Sequence, residues 1–342
     1  MLNIYYGREN LDKSKFIFDH LEGKSLLIVP DQYTLEAERD AFFYLQKKVL
    51  MDIDIMSFSR LGEIIVKKVG SKPNILGREG RQMLLTKIIR DKAKDLEMFR
   101  GSAGKTEFVE MLNDLISDLK QHNTTVEVLE DVISKMKNDS ILKKKLEEIK
   151  IIYQCYESYT AGKYIDSEDY ISYFVSKMGE SEVLEDVNVW IYGFDSFTDR
   201  NRTIVKEMEK WANSVNLVIS YCQSGNDEEL FAIGKNMIQQ LEKEITATIT
   251  TPIGKEYEID TNQDMKAIEK ELYAIPYETH KLAGNVTLQR TTNLYNEAVN
   301  AAIYVLGLVR DEGYKYSDIA IISNDLSNTG ELYFGTIRCN QL

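Results

Sequence analysis

The sequence predicts an α/β protein: a parallel sheet broken by a large all-helical insertion, with a second α/β domain beginning near the end. Three observations predict it. Short apolar runs alternate with amphipathic stretches through residue 69, the alternation then stops for residues 77–176, and it resumes at Val187. Residues 2–6, 25–29 and 54–57 read as strands, followed by helices over 14–21, 35–49 and 59–69. Short strands that each feed a helix imply parallel pairing with right-handed crossovers. Within 77–176 the reading is helix after helix with no convincing strand. Phe108, Met111, Leu112, Leu115, Ile116 and Leu119 form one helical face over 107–121. Leu142, Leu146, Ile149, Ile152 and Tyr153 do the same over 141–159. After the insertion, "VNVWIYGFDSFTD" is a buried strand running into a loop. Helix 200–212, strand 214–221, helix 228–242 and strand 245–250 follow it. Strand 285–290 precedes a long helix, 295–312, which Gly313 closes as a glycine just past a helix end does. "SDIAIIS", 317–323, is the last strand, and because a strand needs neighbours the chain is expected to stop inside a domain. The expected division is 1–76 with 177–288 as the first α/β domain, 77–176 as the insertion, and 289–342 as the start of the second.

Composition excludes several functional classes. With 342 residues, 43% hydrophobic and 28% charged, the chain has material for two or three packed domains and none of the bias of disorder. No apolar run approaches the length that crosses a bilayer, and the N-terminus runs straight into a strand rather than a secretory signal. Cys155, Cys222 and Cys339 are far apart, which fits a reducing cytoplasm and argues against a zinc or iron–sulfur site in this chain. His20, His122 and His280 are equally scattered, so no hydrolytic triad or metalloprotease motif forms. The net charge of −13 argues against nucleic acid, yet its distribution does not. From Arg60 to Lys94 ten basic residues face three acids, a local +7 that reads either as solvated helix faces or as a patch meeting phosphates.

"GRENLDKS", residues 7–14, has the layout of a phosphate-binding loop with one defect. Gly7, Lys13 and Ser14 stand where such a loop has its first glycine, lysine and hydroxyl, but Asp12 replaces the second glycine. The replacement adds a side chain where the backbone approaches the phosphate, and a negative charge beside it. The expectation is Mg·ATP bound weakly or not at all, without hydrolysis, Asp12 serving instead as a helix cap. "GSAGKT", 101–106, ends correctly but has Phe99 where the first glycine belongs and no strand before it; Thr106 reads as an N-cap. An ATPase also needs acids directly after a buried strand to hold Mg²⁺. After Val187, Val189 and Ile191 come Tyr192, Gly193 and Phe194, with Asp195 and Asp199 too late.

Three further loops follow predicted strands, where open α/β sheets bind ligands. They are "VPDQYT", "SFSR" and "GFDSFT", and they share a chemistry. Gln32, Thr34, Ser57, Ser59 and Thr198 offer hydrogen bonds, Arg60 a positive charge, and Tyr33, Phe58, Phe194 and Phe197 flat rings. Rings on which bases stack, with a cation and amides, suit single-stranded nucleic acid. Any one of these rings taken alone reads rather as core; three loops at one rim beside the +7 stretch read as a DNA-binding surface.

The run "GRENLDKS … LLIVPDQYTLEAER … MSFSRLGEII … VNVWIYGFDSFTDRNRTIVKEM … EAVNAAIYVLGLVRDEGYKYSDIAIISNDL" resembles, over essentially the whole chain, the N-terminal part of the AddB/RexB family. These are second subunits of bacterial AddAB helicase–nucleases. The resemblance implies a superfamily 1 helicase-like, P-loop (RecA-like) core, with 1–76 and 177–288 as domain 1A, 77–176 as 1B and 289–342 as the start of 2A. It implies a role in double-strand break repair by recombination and an AddA-type partner subunit. It also implies an inactivated motor that scans single-stranded DNA for a Chi-type hotspot, a role falling here on Gln32, Thr34, Phe58, Arg60 and Phe197. The family's nuclease metal and iron–sulfur cluster lie far C-terminal, so this chain reads as a fragment without catalytic residues. Two other readings stay open: an active P-loop DNA-dependent ATPase, and a protein-interaction module indifferent to DNA.

Overall fold

The computed structural model describes residues 1–323 and 330, apart from 47–51, 71–72, 103, 123, 138–139, 224, 246–247 and 282. It shows six parallel strands in one sheet. In chain order the first elements are β1 (Leu2–Gly7), α1 (Lys13–Asp19), β2 (Ser25–Ile28), α2 (Thr34–Leu45), β3 (Ile53–Met56) and α3 (Phe58–Lys68). Then come β4 (Ile75–Leu76), α4 (Arg78–Asp91), α5 (Thr106–Gln121), α6 (Val126–Ser134), α7 (Ile141–Thr160), β5 (Ile165–Asp166) and α8 (Ser167–Ser181). The chain returns through β6 (Asn188–Ile191), α9 (Asp199–Trp211), β7 (Ser214–Ser220), α10 (Ala232–Glu244) and β8 (Thr248–Pro252), then α11 (Gln263–Glu271) and α12 (Leu294–Asp311). The sheet order is β3-β2-β6-β7-β1-β8, and every pairing in it is parallel. Register follows directly, with Leu27 beside Trp190 and Ile4 beside Leu217.

Both sheet faces are covered, which is why the central strands read as continuous apolar runs. Successive side chains point to opposite faces. Leu26 and Ile28 join Leu2, Ile4, Val189 and Leu217 against α3, α8, α9 and α10. Leu27 joins Trp190, Val218 and Tyr5 against α1 and α2. A separate core is built mainly from α4, α5, α6 and α7, around Leu85, Ile88, Leu112, Ile116, Ile152 and Tyr156, with Leu96 from the loop between α4 and α5. The helix that closes this region, α8, packs its Phe174 and Met178 on the sheet rather than among those helices.

The chain forms two compact units, Met1–Thr261 with Lys266–Thr279, and Asn262–Met265 with the described residues from His280 onward. In the second, α12 starts at Asn293, whose side chain accepts from the Asn296 N–H at 2.8 Å. Gly313, at φ +79, follows its end. Asp264 accepts hydrogen bonds from the backbone of Ala283 and Asn285.

The structure corrects several sequence expectations. Among the described residues, 285–290 and 317–323 are not strands, and Tyr316–Asp318 is a 3-10 turn. Apolar residues recur there, but a strand exists only through a neighbour's hydrogen bonds, and neither run has one among the described residues. The insertion is not strand-free, because β5 pairs with β4. Thr106 is the first residue of α5 and Lys105 the cap, with no side-chain capping bond. α2 stops at Leu45, where Gln46 turns left-handed at φ +50; residues 47–49 of the expected helix lie outside the described residues, as do Lys72 and Cys339.

Candidate functional site: a closed phosphate loop beside a polar rim groove

The loop between β1 and α1 is shaped by Gly7 and held from outside. A Cβ on Gly7 would lie 2.5 Å from Leu11 Cδ1, so a larger residue there would require the Leu11 side chain to move. Asp12 caps α1, its Oδ1 accepting from the Lys15 N–H at 2.9 Å, while Tyr44 Oη donates to Oδ2 at 2.8 Å. Burial, and then the hydrogen bond to Asp12, push the Tyr44 hydroxyl up, so it stays a donor. Lys13 is 3% exposed, and its Nζ donates to Glu9 at 2.9 Å. Burial raises the Glu9 carboxyl, but Lys13 and the Ser220 hydroxyl more than offset this and hold it below the usual range.

A cavity of about 240 Å³ opens beside this lysine, lined by Glu9, Ser14, Glu36, Asp40, Tyr192 and Asp195 among others. Four of those six are carboxylates, against the single charge of Lys13. Burial pushes the Tyr192 hydroxyl up, and Glu9, Asp40 and Asp12 add to that. Three of the loop's amides are also engaged. Leu11 N–H donates to Arg8 at 3.3 Å, Asp12 N–H to the Tyr257 carbonyl at 2.8 Å, and Lys13 N–H to Leu11 at 3.0 Å. A phosphate loop works by aiming such amides and its lysine at oxyanions. As arranged here, the donor set does not fit a magnesium triphosphate. Asp199 sits in the first turn of α9 and pairs with Arg202.

The rim loops are brought together by the sheet order. β2 lies between β3 and β6, so the loops that follow these three strands are neighbours. Between them and α8 lies a groove of about 620 Å³, lined by Gln32, Ser57, Phe58, Ser59, Tyr170, Phe194 and Asn201, with Asp31 and Glu63 at hand. Gln32, Ser59 and Thr198 are exposed, Tyr33 is 43% exposed, Thr34 is half-buried and Arg60 is 65% exposed. Ser57 and Thr198 also cap helices, accepting from the N–H groups of Arg60 and Asn201. Arg60 is salt-bridged to Glu63 at 2.5 Å in the open, a pair that contributes little and is readily exchanged.

Two rings differ from their expected presentation. Phe58 is 9% and Phe197 7% exposed, and with Phe194 they form a three-ring cluster at centroid distances of 5.3–6.4 Å. Phe58, in the first turn of α3, faces the sheet, and with Phe197, just before the cap of α9, it completes the core under the groove. Half-buried Phe194 and exposed Tyr33 are the rings left with free surface. Sequence reasoning missed Tyr170 and Asn201, which reach the groove from α8 and α9, elements distant in sequence and joined only by the fold.

The basic stretch resolves into different fates. Arg81 is buried, and its Nε and Nη1 have no hydrogen-bond partner among the described residues. Arg78 pairs with Asp114, Lys92 with Asp95, and Lys87 lies over the Tyr159 ring. Lys67, Lys68, Arg90 and Lys94 are exposed and have no ion-pair partner among the described residues. Lys67 and Lys68 end α3, the helix whose first turn carries Arg60. No helix among the described residues is long and apolar enough to cross a membrane.

Residues 4–273 match the family described as ADDB, N-terminal. The chain is 34% identical, over 94% of its length, to an ATP-dependent helicase/deoxyribonuclease subunit of Alkaliphilus oremlandii. It is 30% identical over 94% to the corresponding subunit of Alkaliphilus metalliredigens, and 28% over 95% to that of Clostridium tetani. It spans about 30% of the length of each of these relatives. With the family match covering most of the chain and a relative above 30% identity, the chain belongs to the AddB N-terminal family.

Proposed function

We propose that this chain is the N-terminal, helicase-like segment of an ATP-dependent helicase–nuclease subunit that acts in double-strand break repair by homologous recombination. In this reading the α/β portion, 1–76 and 177–288, is a RecA-like domain 1A, 77–176 is domain 1B, and 289 onward begins domain 2A. The motor is inactive, and the rim groove holds single-stranded DNA and reads a hotspot sequence. The observation that carries the reading is the convergence of three loops at one groove, each singled out by its chemistry, with amides, hydroxyls and an aromatic edge offered together. Such a surface suits unpaired bases, which stack on rings and present hydrogen-bonding edges. The exposed Arg60, Lys67 and Lys68 on one helix would follow the backbone phosphates. The relatives are named as subunits of a larger enzyme, which supports an AddA-type partner in a cytoplasmic complex. The nuclease metal and iron–sulfur cluster belong to the part of the longer protein this chain does not span.

Titrating a labelled single-stranded oligonucleotide at two salt concentrations tests this. Binding should weaken with salt, and Arg60→Ala and Gln32→Ala should each weaken it by several-fold. Binding that ignores both substitutions counts against the groove. ATP turnover dependent on Lys13 would favour the active-ATPase reading instead.

A further inference from the structure

The degenerate phosphate loop is not merely missing a glycine. A second segment of the chain lies along it. The Asp12 N–H donates to the Tyr257 carbonyl at 2.8 Å, and the Ile259 N–H donates to the Asn10 carbonyl at 2.8 Å. Leu11 and Glu258 form an antiparallel bridge. Two backbone bonds in opposite directions and a bridge make a short piece of ladder, the geometry by which one strand recognises another. Side chains reinforce it. The Tyr257 ring meets Phe16 of α1 edge-on at 5.3 Å, and Lys15 reaches over the same ring at 6.0 Å.

Arg8, the residue after Gly7, then acts as a clasp. Its Nη2 bonds Asp227 at 2.7 Å and its Nε bonds Glu269 at 2.6 Å. Nη2 also donates to the Glu269 carbonyl at 2.9 Å, and the guanidinium lies over the Phe231 ring at 5.1 Å. Burial lowers the guanidinium's affinity for its proton, but the two carboxylates more than restore it, and Arg8 stays charged. Charge-assisted bonds of this kind are the stronger class.

We propose that residues 255–259, paired with Asn10, Leu11 and Asp12 while the adjoining Arg8 is clasped by Asp227 and Glu269, are a built-in occupant of the loop 8–13. The strap takes the Asp12 N–H, one of the backbone donors that a phosphate held in such a loop would claim. Strap and nucleoside triphosphate therefore exclude one another at this loop. The contact converts a phosphate-binding element into a joint between β1 and the segment that follows β8. The strap is independent of the DNA reading, since none of its residues lines the rim groove.

The test combines Mg·ATP titration with hydrogen exchange at residues 8–13 and 255–259. In the unmodified protein the Asp12 and Ile259 amides should be protected, and Mg·ATP should bind weakly or not at all. Ile259→Pro deletes the N–H that reaches Asn10, and Arg8→Ala opens the clasp. Either should expose the Asp12 amide to exchange, and the pair should raise Mg·ATP binding at least tenfold. Adding Lys13→Ala should remove that gain. The proposal is overturned if the unmodified protein binds Mg·ATP through Lys13 while 255–259 stay protected. It is equally overturned if the released variants exchange freely at 8–13 yet gain no binding, because the bar would then lie in Asp12 and the neighbouring carboxylates rather than in the strap. Should a variant fold poorly, exchange in the unmodified protein at saturating Mg·ATP still decides: loss of protection at 255–259 on binding supports exclusion, and retention with binding refutes it.

Discussion

Replacing Lys120 by methionine should destabilise the protein far more than an ordinary surface ion-pair substitution. Lys120 ends α5 at 3% exposure and faces three carboxylates, Asp166 at 2.7 Å, Asp169 at 2.6 Å and Glu157 at 2.8 Å. The three are not equal. Asp169 is 46% exposed, so water replaces the lost ammonium there and it accounts for about 0–1 kcal/mol; Glu157 is 43% exposed, but its Oε1, which meets Lys120, is buried, so water reaches only its other oxygen. Asp166 is fully buried, and methionine would leave its charge without the ammonium, facing the neutral Tyr156 hydroxyl at 3.1 Å and Asp169 N–H at 2.8 Å. Removing one partner of a buried pair costs about 3–5 kcal/mol, and that term dominates. The backbone part of the knot survives, since Arg200 bonds the Lys120 carbonyl rather than its side chain. The assay is urea unfolding followed by circular dichroism, where the midpoint should fall by about 1 M or more at unchanged slope. Lys120→Met with Asp166→Asn should recover much of the loss, because the charge that lost its counter-ion is then gone as well. Acid supplies a second check. Burial raises the Asp166 carboxyl, but Lys120 more than offsets this and holds it below its ordinary 3.8. Its contribution is thus complete above that value and lost as pH falls through the folded-state pKa. Lys120 is raised above its ordinary 10.5, so its share is complete below that value and lost only as pH rises through the higher folded-state pKa. The gap between the native protein and Lys120→Met should therefore hold through neutral pH and narrow in acid. A loss under about 1 kcal/mol, or a double variant worse than Lys120→Met, would show that the buried charge is not what the lysine serves.

Three further outcomes follow from other sites. Gly234→Ala would place a Cβ 2.5 Å from the Ser220 carbonyl oxygen, a backbone atom of β7, so α10 must shift; unfolding titrations should show a loss of about 1–3 kcal/mol. Buried Glu148 accepts from the N–H groups of Glu97, Met98 and Phe99 at 2.6–3.0 Å. Glu148→Ala should cost about 2–4 kcal/mol and free those amides to exchange, while Glu148→Gln keeps part of the effect. Substituting Lys67 and Lys68 together by alanine should leave stability within about 0.5 kcal/mol. It should also lower the salt dependence of single-strand binding by about 0.7 per lysine that meets a phosphate. An unchanged slope would place the phosphates elsewhere.

How much of this was legible depends on where each interaction lives. The six-stranded parallel sheet could be read because β2, β6 and β7 are buried on both faces, and their apolar runs say so locally. The helices of the insertion could be read from their periodicity. The two-residue pair β4–β5 could not, since it is made by partners ninety positions apart without an apolar run at either. Among the described residues, the runs 285–290 and 317–323 carry a strand's pattern without a strand's neighbour, and pattern alone does not provide hydrogen bonds. At the candidate site, adjacency of the three rim loops follows from β2 lying between β3 and β6, an order that alternation does not specify. Asp12 as a cap was legible because its role is local; Tyr257, Ile259 and Glu269 against the loop were not, because nothing in their own neighbourhood marks them. Phe58 and Phe197 show the converse. Residue type pointed to a ring for stacking, but Phe58 in the first turn of α3 and Phe197 just before the cap of α9 are both buried in the core.

The most direct measurement is photocrosslinking. A single-stranded oligonucleotide carrying a photoreactive base is bound at low salt, irradiated, and the attached peptides are identified by mass spectrometry. Attachment should concentrate on peptides holding 30–34, 57–60 and 193–198, should fall with added salt, and should leave 8–14 unlabelled. Attachment confined to other surfaces, or none at concentrations where the oligonucleotide is bound, would contradict the account.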